Sequence, residues 1–190
     1  MDLQISRWFC EVFGNSKPLA YIARILTYLG DFETILIAVL VLFAFKKTRR
    51  LSIYIAAAVG ISCLINSFVF KPLIARDRPF VADETLKAVC NLSNYEFPDG
   101  YSMLSGHSCG SMSFAVTIIL FFKKRWTISV MAYPVVVGFT RLALCVHYFT
   151  DVIAGFAFGA LVAFGMFYLV KFLDKKFVEY LDKRKKIWKD

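Results

Sequence analysis

Residues 51–70, LSIYIAAAVGISCLINSFVF, contain no charge. As a helix rising about 1.5 Å per residue, this run covers about 30 Å, the thickness of a bilayer's hydrocarbon core. Residues 152–170, VIAGFAFGALVAFGMFYLV, are uncharged in the same way. Residues 104–122, LSGHSCGSMSFAVTIILFF, carry one His near their start, and residues 126–140, WTISVMAYPVVVGFT, begin a further span. A fifth span covers 25–45, where the short run TILIAVLVLFAF is extended backwards. Five such runs in 190 residues, with 58% hydrophobic and 19% charged residues, argue against a soluble protein with buried core helices. The expected fold is all-α: a polytopic membrane helix bundle of five or six transmembrane helices plus an N-terminal amphipathic helix.

One domain, 1–190, is expected, with a bundle over 30–172 between N-terminal helices (1–29) and a basic tail (173–190). LQISRWFCEVF puts Ile5, Trp8, Phe9 and Phe13 on one helical face and Arg7 and Glu11 elsewhere, the pattern of an interfacial helix. Pro18 opens a second helix near 17–29 that contains Arg24. These two helices form a re-entrant pair, or one of them is a sixth span. No cleavable signal peptide is expected, because no basic start leads into an apolar run and a small-residue site.

The net charge of +9 is clustered. Lys46, Lys47, Arg49 and Arg50 form one block, Lys123, Lys124 and Arg125 a second, and the tail from Lys171 to Lys189 a third. Basic blocks at the ends of apolar runs mark cytoplasmic loops rather than a nucleic-acid surface. With 46–50 in the cytoplasm, 71–103 lie outside, 123–125 inside, 141–151 at the outer interface and the tail inside. The chain is thus expected to be a multi-pass cell-membrane protein with a cytoplasmic C-terminal tail. Lys71, Arg76 and Arg78 break the rule by falling outside. In KPLIARDRP, Lys71 and Arg78 are two helical turns apart and can share a face. Cations on the side that disfavours them need an anion, and phosphate suits the planar fork of Arg and the compact charge of Lys.

Two more constellations fall at the same outer level. LSGHS (104–108) starts a span, where exposed N–H groups and the helix dipole attract anions. There Gly106 permits close backbone approach, Ser105 can cap the helix or donate to an oxygen, and His107 can carry a proton. In RLALCVHYFTD (141–151), His147 and Asp151 are four apart. On one helical face the carboxylate would accept the imidazole N–H, fix the tautomer and leave the other nitrogen free to attack. Arg141 reaches the same place if the helix starts or bends near Tyr148.

With these three segments the chain resembles the type 2 phosphatidic acid phosphatase family, the membrane branch of a superfamily that also holds vanadium haloperoxidases and glucose-6-phosphatase. The family pattern is Lys-x6-Arg-Pro, then Pro-Ser-Gly-His, then Ser-Arg-x5-His-x3-Asp. Here KPLIARDRP is complete, LSGH has Leu104 for the Pro, and TRLALCVHYFTD has Thr140 for the Ser. The resemblance covers about residues 30–170 and makes that bundle the catalytic part. It implies that His147 is the nucleophile that becomes a phosphohistidine, that Asp151 orients it, and that His107 protonates the leaving oxygen. It implies that Lys71, Arg78, Arg141, Ser105 and the Gly106 N–H bind phosphate oxygens. Leu104 removes no chemical group, and Thr140 keeps a hydroxyl able to reach phosphate.

The resemblance implies no metal or other cofactor. His107, His147 and Asp151 are conceivable zinc ligands, but the crowd of cations there repels a divalent ion. The expected activity is metal-independent hydrolysis of a membrane lipid phosphate or diphosphate at the extracytoplasmic face. Undecaprenyl diphosphate is the first substrate to consider, then phosphatidylglycerol phosphate and phosphatidic acid. Phosphoryl or headgroup transfer to another lipid is an alternative, as is a non-enzymatic lipid-phosphate binder. The expected partners are the bilayer and its lipid, with no nucleic acid; nothing sets an oligomeric state. Cys10, Cys63, Cys90, Cys109 and Cys145 lack CxxC spacing. Cys63, Cys109 and Cys145 read as packing residues, and Cys90 lacks an obvious disulfide partner. NLS at 91–93 has the form of a glycosylation sequon. The segment 81–103 is a lid or a plain connector.

Overall fold

The computed structural model describes residues 1–14, 16–87 and 95–187, with side chains to residue 176. Cys90 and the 91–93 sequon lie outside the described residues. All regular structure among the described residues is helical: α1 (Asp2–Gly14), α2 (Lys17–Thr27), α3 (Phe32–Ala44), α4 (Arg49–Ile65), α5 (Lys71–Ile74), α6 (Pro79–Ala82), α7 (Gly106–Phe122), α8 (Ala132–Ala143) and α9 (Phe149–Ile187). A π-helical turn, Asn66–Phe70, carries α4 into α5, and a 3-10 stretch, Arg125–Met131, leads into α8.

Three helical runs are long and apolar enough to cross a membrane: Arg49–Ala82, Arg125–Ala143 and Phe149–Lys176. A fourth crossing is available from Lys17–Gly30 with Phe32–Ala44, a pair bent by 49°. The apolar α7 has 17 residues, about 25 Å of helix, the short end of a spanning length. The five expected runs are thus all present as helix, with one correction: 25–45 is not a straight span. It breaks at Gly30–Asp31, where a side chain on Gly30 would come within 2.9 Å of the His107 ring, and Asp31 pairs with that histidine. Ile37, Leu40, Phe45, Leu64, Phe68 and Leu161 face outward, as lipid contact requires.

The centre is built by α4, α7 and α9. Small residues let their backbones approach: a Cβ on Gly155 of α9 would lie 2.9 Å from the Ser105 carbonyl oxygen, and Gly159 fits more closely still against Cys109. Such close crossings replace the hydrophobic drive that lipid cannot supply. The Ser113 hydroxyl adds a 2.9 Å hydrogen bond to the Gly159 carbonyl.

The N-terminal helix presents two unlike faces. Ser6 and Cys10 are buried, and Leu3 and Phe13 pack beside them, whereas Trp8 points outward and is 57% exposed. The small side chains of Ser6 and Cys10 allow close contact with the bundle. Phe9 and Phe13 still pack on Phe139 of α8. Cys10 forms a disulfide with Cys145, so Cys145 is not the packing residue expected. Spacing carried no hint of this, as the partners are 135 residues apart.

Candidate active site

The three motifs meet at one end of the bundle. α8 stops at Leu144, Cys145 takes a left-handed conformation (φ 56°), and α9 starts at Phe149. His147 therefore lies in the turn before α9, not on a shared helical face with Asp151. The i, i+4 contact arises because the turn folds back on the first turn of α9. His147 Nδ1 stands 3.6 Å from Asp151 Oδ2 and 3.5 Å from the Ser102 hydroxyl. Its Nε2 faces Arg78 Nη1 at 3.4 Å. Burial pushes the His147 imidazole well below the usual histidine range, and the charges of Arg141 and Arg78 add to this against the pull of Asp151. The ring is therefore neutral, the form a nucleophile needs.

Asp151 is fully buried and held from several sides. Its Oδ2 accepts from the Ser102 hydroxyl and, at 2.9 Å, from the Tyr148 amide. Its Oδ1 accepts from Arg76 Nη1 at 2.7 Å. Arg76 also reaches Asp2 of α1 through Nη2 at 2.6 Å, donates to Thr150 and covers the Tyr148 ring. Burial alone would raise the Asp2 carboxyl, but hydrogen bonds from Thr150 and Arg76 hold it below the usual range.

Arg78 and Arg141 are 3% and 2% exposed. Arg78 donates to the carbonyls of Gly100, Val146 and Asp99 at 2.9 to 3.0 Å, so it ties the 95–103 segment to the His147 turn. Arg141 Nη1 donates to the hydroxyls of Thr27 (2.8 Å) and Tyr95 (2.9 Å) and faces His107 Nε2 at 3.3 Å. Its Nε has no hydrogen-bond partner among the described residues. His107 Nε2 also meets Asp31 Oδ1 at 2.7 Å. Lys71 lies within electrostatic reach of Arg78 and Arg141. Ser105 is the N-cap of α7, where its hydroxyl accepts from the Ser108 amide and hydroxyl and its own amide donates to the Asp151 carbonyl. Gly106 opens α7.

The two departures from the family motifs have distinct settings. The Asn66 side chain brackets Leu104, donating to its carbonyl at 3.1 Å and accepting its amide at 3.2 Å. A proline at 104 lacks that amide proton. The Thr140 hydroxyl donates to the Val137 carbonyl at 2.6 Å, inside its own helix.

All eight residues singled out from the sequence sit in this region. Asp31, Asn66, Ser102, Tyr95 and Asp2 were missed, and Arg76 was seen only as part of a basic cluster. Asp31 carried one signal, a carboxylate interrupting an apolar run. Among the described residues, no three His, Cys, Asp or Glu side chains gather as metal ligands. The constellation offers a neutral imidazole nitrogen, a second histidine able to shuttle a proton, and three cations. That set can accept, hold and release a phosphoryl group.

Residues 48–175 match the family model described as the PAP2 superfamily. A lipid A 4'-phosphatase of Porphyromonas gingivalis is 32% identical over 131 residues, 66% of this chain and 55% of that protein. The chain spans about half the length of the lipid A 4'-phosphatases it matches. An undecaprenyl-diphosphatase of Sulfolobus acidocaldarius is 30% identical over 129 residues, 65% of this chain and 57% of that protein. The crystal structure of a transmembrane PAP2-type phosphatidylglycerolphosphate phosphatase from Bacillus subtilis superposes with a TM-score of 0.69 at 26% identity, covering 92% of this chain and 85% of that one.

Proposed function

Because this chain belongs to the PAP2 superfamily, we propose that it is an integral membrane phosphatase that cleaves a lipid phosphate or diphosphate through a phosphohistidine on His147. The observation that carries this reading is two buried arginines beside a neutral imidazole: Arg141 Nε has no hydrogen-bond partner among the described residues, and Arg78 lies 3.4 Å from His147 Nε2. An anion bound there completes what the protein leaves open.

In this reading Asp151 takes the Nδ1 proton side of His147 and directs Nε2 outward. Nε2 attacks the terminal phosphorus as its bond to the leaving oxygen breaks (the lipid oxygen in a monophosphate, the bridging oxygen in a diphosphate), and His107 gives its proton to that oxygen. Asp31 steadies His107 as the charged donor. Water then attacks the phosphohistidine, His107 takes the water's proton, the P–N bond breaks and inorganic phosphate leaves. Lys71, Arg78, Arg141, Ser105 and the Gly106 amide hold the phosphoryl oxygens through both steps. Since protein cations supply the charge stabilisation, the reaction proceeds without metal.

The site is assigned to the extracytoplasmic face. Arg50, Lys123, Lys171 and Lys175 meet at the other end of the bundle, as cytoplasmic basic residues do. The Cys10–Cys145 disulfide beside the site suits the oxidising side. A lipid rather than a soluble ester is favoured by a cavity of about 380 Å³ next to Gly106 and His107, whose wall includes the outward-facing Phe32. Undecaprenyl diphosphate is the first substrate in order, because its recycling presents a phosphate ester at that face. Phosphatidylglycerol phosphate is second, favoured by the structural match over 92% of the chain. The test is phosphate release by the detergent-purified protein in EDTA from these two lipids, phosphatidic acid and lipid A, beside His147→Ala. Release that disappears in the variant is expected. Release that requires added metal, or that survives the variant, would overturn the mechanism; no release at all from a folded protein would move the assignment to transfer or binding.

A further inference from the structure

A basic cleft lies at the opposite end of the bundle. The three basic blocks, far apart in sequence, send one or more members into a single cleft of about 600 Å³: Arg50 from the first, Lys123 from the second, and Lys171 and Lys175 from the third. One carboxylate, Asp174, shares the cleft and accepts from Arg50 Nη2 at 2.7 Å. Among the described residues, these four basic side chains and one carboxylate line the cleft. Cytoplasmic anchoring alone would leave lysines splayed around the rim; here they surround a concave surface.

The floor is apolar and firm. Tyr54, 6% exposed, lies between Phe121 and Phe167, with ring centroids at 5.7 and 5.1 Å. The Tyr54 hydroxyl donates to Asp174 at 3.3 Å, so the aromatic floor and the ion pair hold one another. Leu120 also lines the cleft. The depth matches a headgroup. Lys171 is five and a half turns beyond Asp151 on one continuous helix, about 30 Å along the helix axis, a separation comparable to the hydrocarbon thickness of a bilayer.

We propose that this cleft binds the phosphate of an anionic phospholipid from the leaflet opposite the proposed catalytic site, with Lys123, Lys171 and Arg50 around the phosphate and the glycerol and first methylenes on Phe121 and Phe167. Basic pockets between membrane helices bind anionic headgroups in this way. The site is separate from the proposed chemistry, and a catalytically dead protein would still show it.

The test uses the full chain in neutral detergent and native mass spectrometry to count bound lipid during titration with phosphatidylglycerol, phosphatidylcholine or inorganic phosphate. The variant is Lys123→Asn with Lys171→Gln; Asn tolerates the left-handed backbone at 123 (φ 52°). Phosphatidylglycerol should be retained over phosphatidylcholine. Retention should weaken about thirtyfold in the double variant, from about fivefold per lysine at a membrane surface. Phosphate release by that variant should equal the wild type, which also certifies its fold. Equal retention of phosphatidylglycerol by variant and wild type would overturn the proposal, as would equal retention of phosphatidylcholine. Displacement of the lipid by millimolar inorganic phosphate would overturn the lipid as the source of the anion.

Discussion

Gly155→Ala tests whether the site is set by helix spacing rather than by its loops. The new Cβ would lie 2.9 Å from the Ser105 carbonyl oxygen and 2.9 Å from Ser108 Cβ. The first of these is backbone and cannot rotate away, so α9 must move from α7 by about 0.5 Å to reach an ordinary contact. Gly155 is four residues from Asp151, about 6 Å along the helix, so the shift passes directly into the site. It loosens the 3.2 Å bond from the Ser105 amide to the Asp151 carbonyl and widens the gap between the His107 and His147 sides. With about a hundredfold loss for a 1 Å misplacement, half that distance should lower kcat about tenfold. Overpacking should also remove about 1 to 2 kcal/mol of stability. Gly165→Ala is the matched control, since no atom lies within 4 Å of its added Cβ. That variant should keep full activity and gain about 0.5 to 1 kcal/mol, the usual advantage of Ala over Gly in a helix. Phosphate release and thermal unfolding in detergent measure both. If Gly155→Ala matches Gly165→Ala in kcat and melting temperature, helix spacing does not set the site.

Arg76→Gln removes a charged donor from the buried Asp151 and should lower kcat about ten- to a hundredfold with KM little changed, the loss of a bond worth about 1.5 to 3 kcal/mol; a rise in KM alone would make Arg76 a substrate ligand instead. Asp2 has a depressed folded-state pKa, so its contribution is present above the ordinary carboxylate range and is lost as pH falls through its folded value. Asp2→Asn should therefore melt earlier than wild type at pH 7, with the gap closing as pH drops below about 4; a gap that persists in acid contradicts the ion-pair role. Asn66→Ala strips both bonds from the Leu104 backbone and should destabilise by about 2 kcal/mol in thermal unfolding, whereas an unchanged melting temperature would show that water replaces the amide.

The bundle and the three polar motifs that gather at one end of it were legible in the sequence because both are written in local patterns. Uncharged runs mark helices, and the distances from Lys71 to Arg78, Ser105 to His107 and Arg141 to Asp151 are short. Contacts between distant segments were hidden. Asp31 meets His107 from 76 positions away, and Arg76 joins Asp2 to Asp151 across most of the chain. Periodicity marked α1 as two-faced but did not show that Ser6 and Cys10 are the side chains it buries. The His147–Asp151 pair kept its proximity but not its assumed helix, because spacing specifies neighbours equally well across a tight turn.

The link from α1 to Thr150 has a consequence for how the protein is made. Asp2 leaves the ribosome 148 residues before its partner Thr150. At about 5 to 20 residues per second, the first helix waits about 7 to 30 s while the intervening spans are threaded into the bilayer. An ordinary apolar span would insert or aggregate in that interval. A helix with Trp8 and Phe9 toward lipid and Arg7 and Glu11 toward water can rest on the membrane surface until its dock exists. Its amphipathic character thus suits a helix that must rest at the membrane surface until Thr150 is in place.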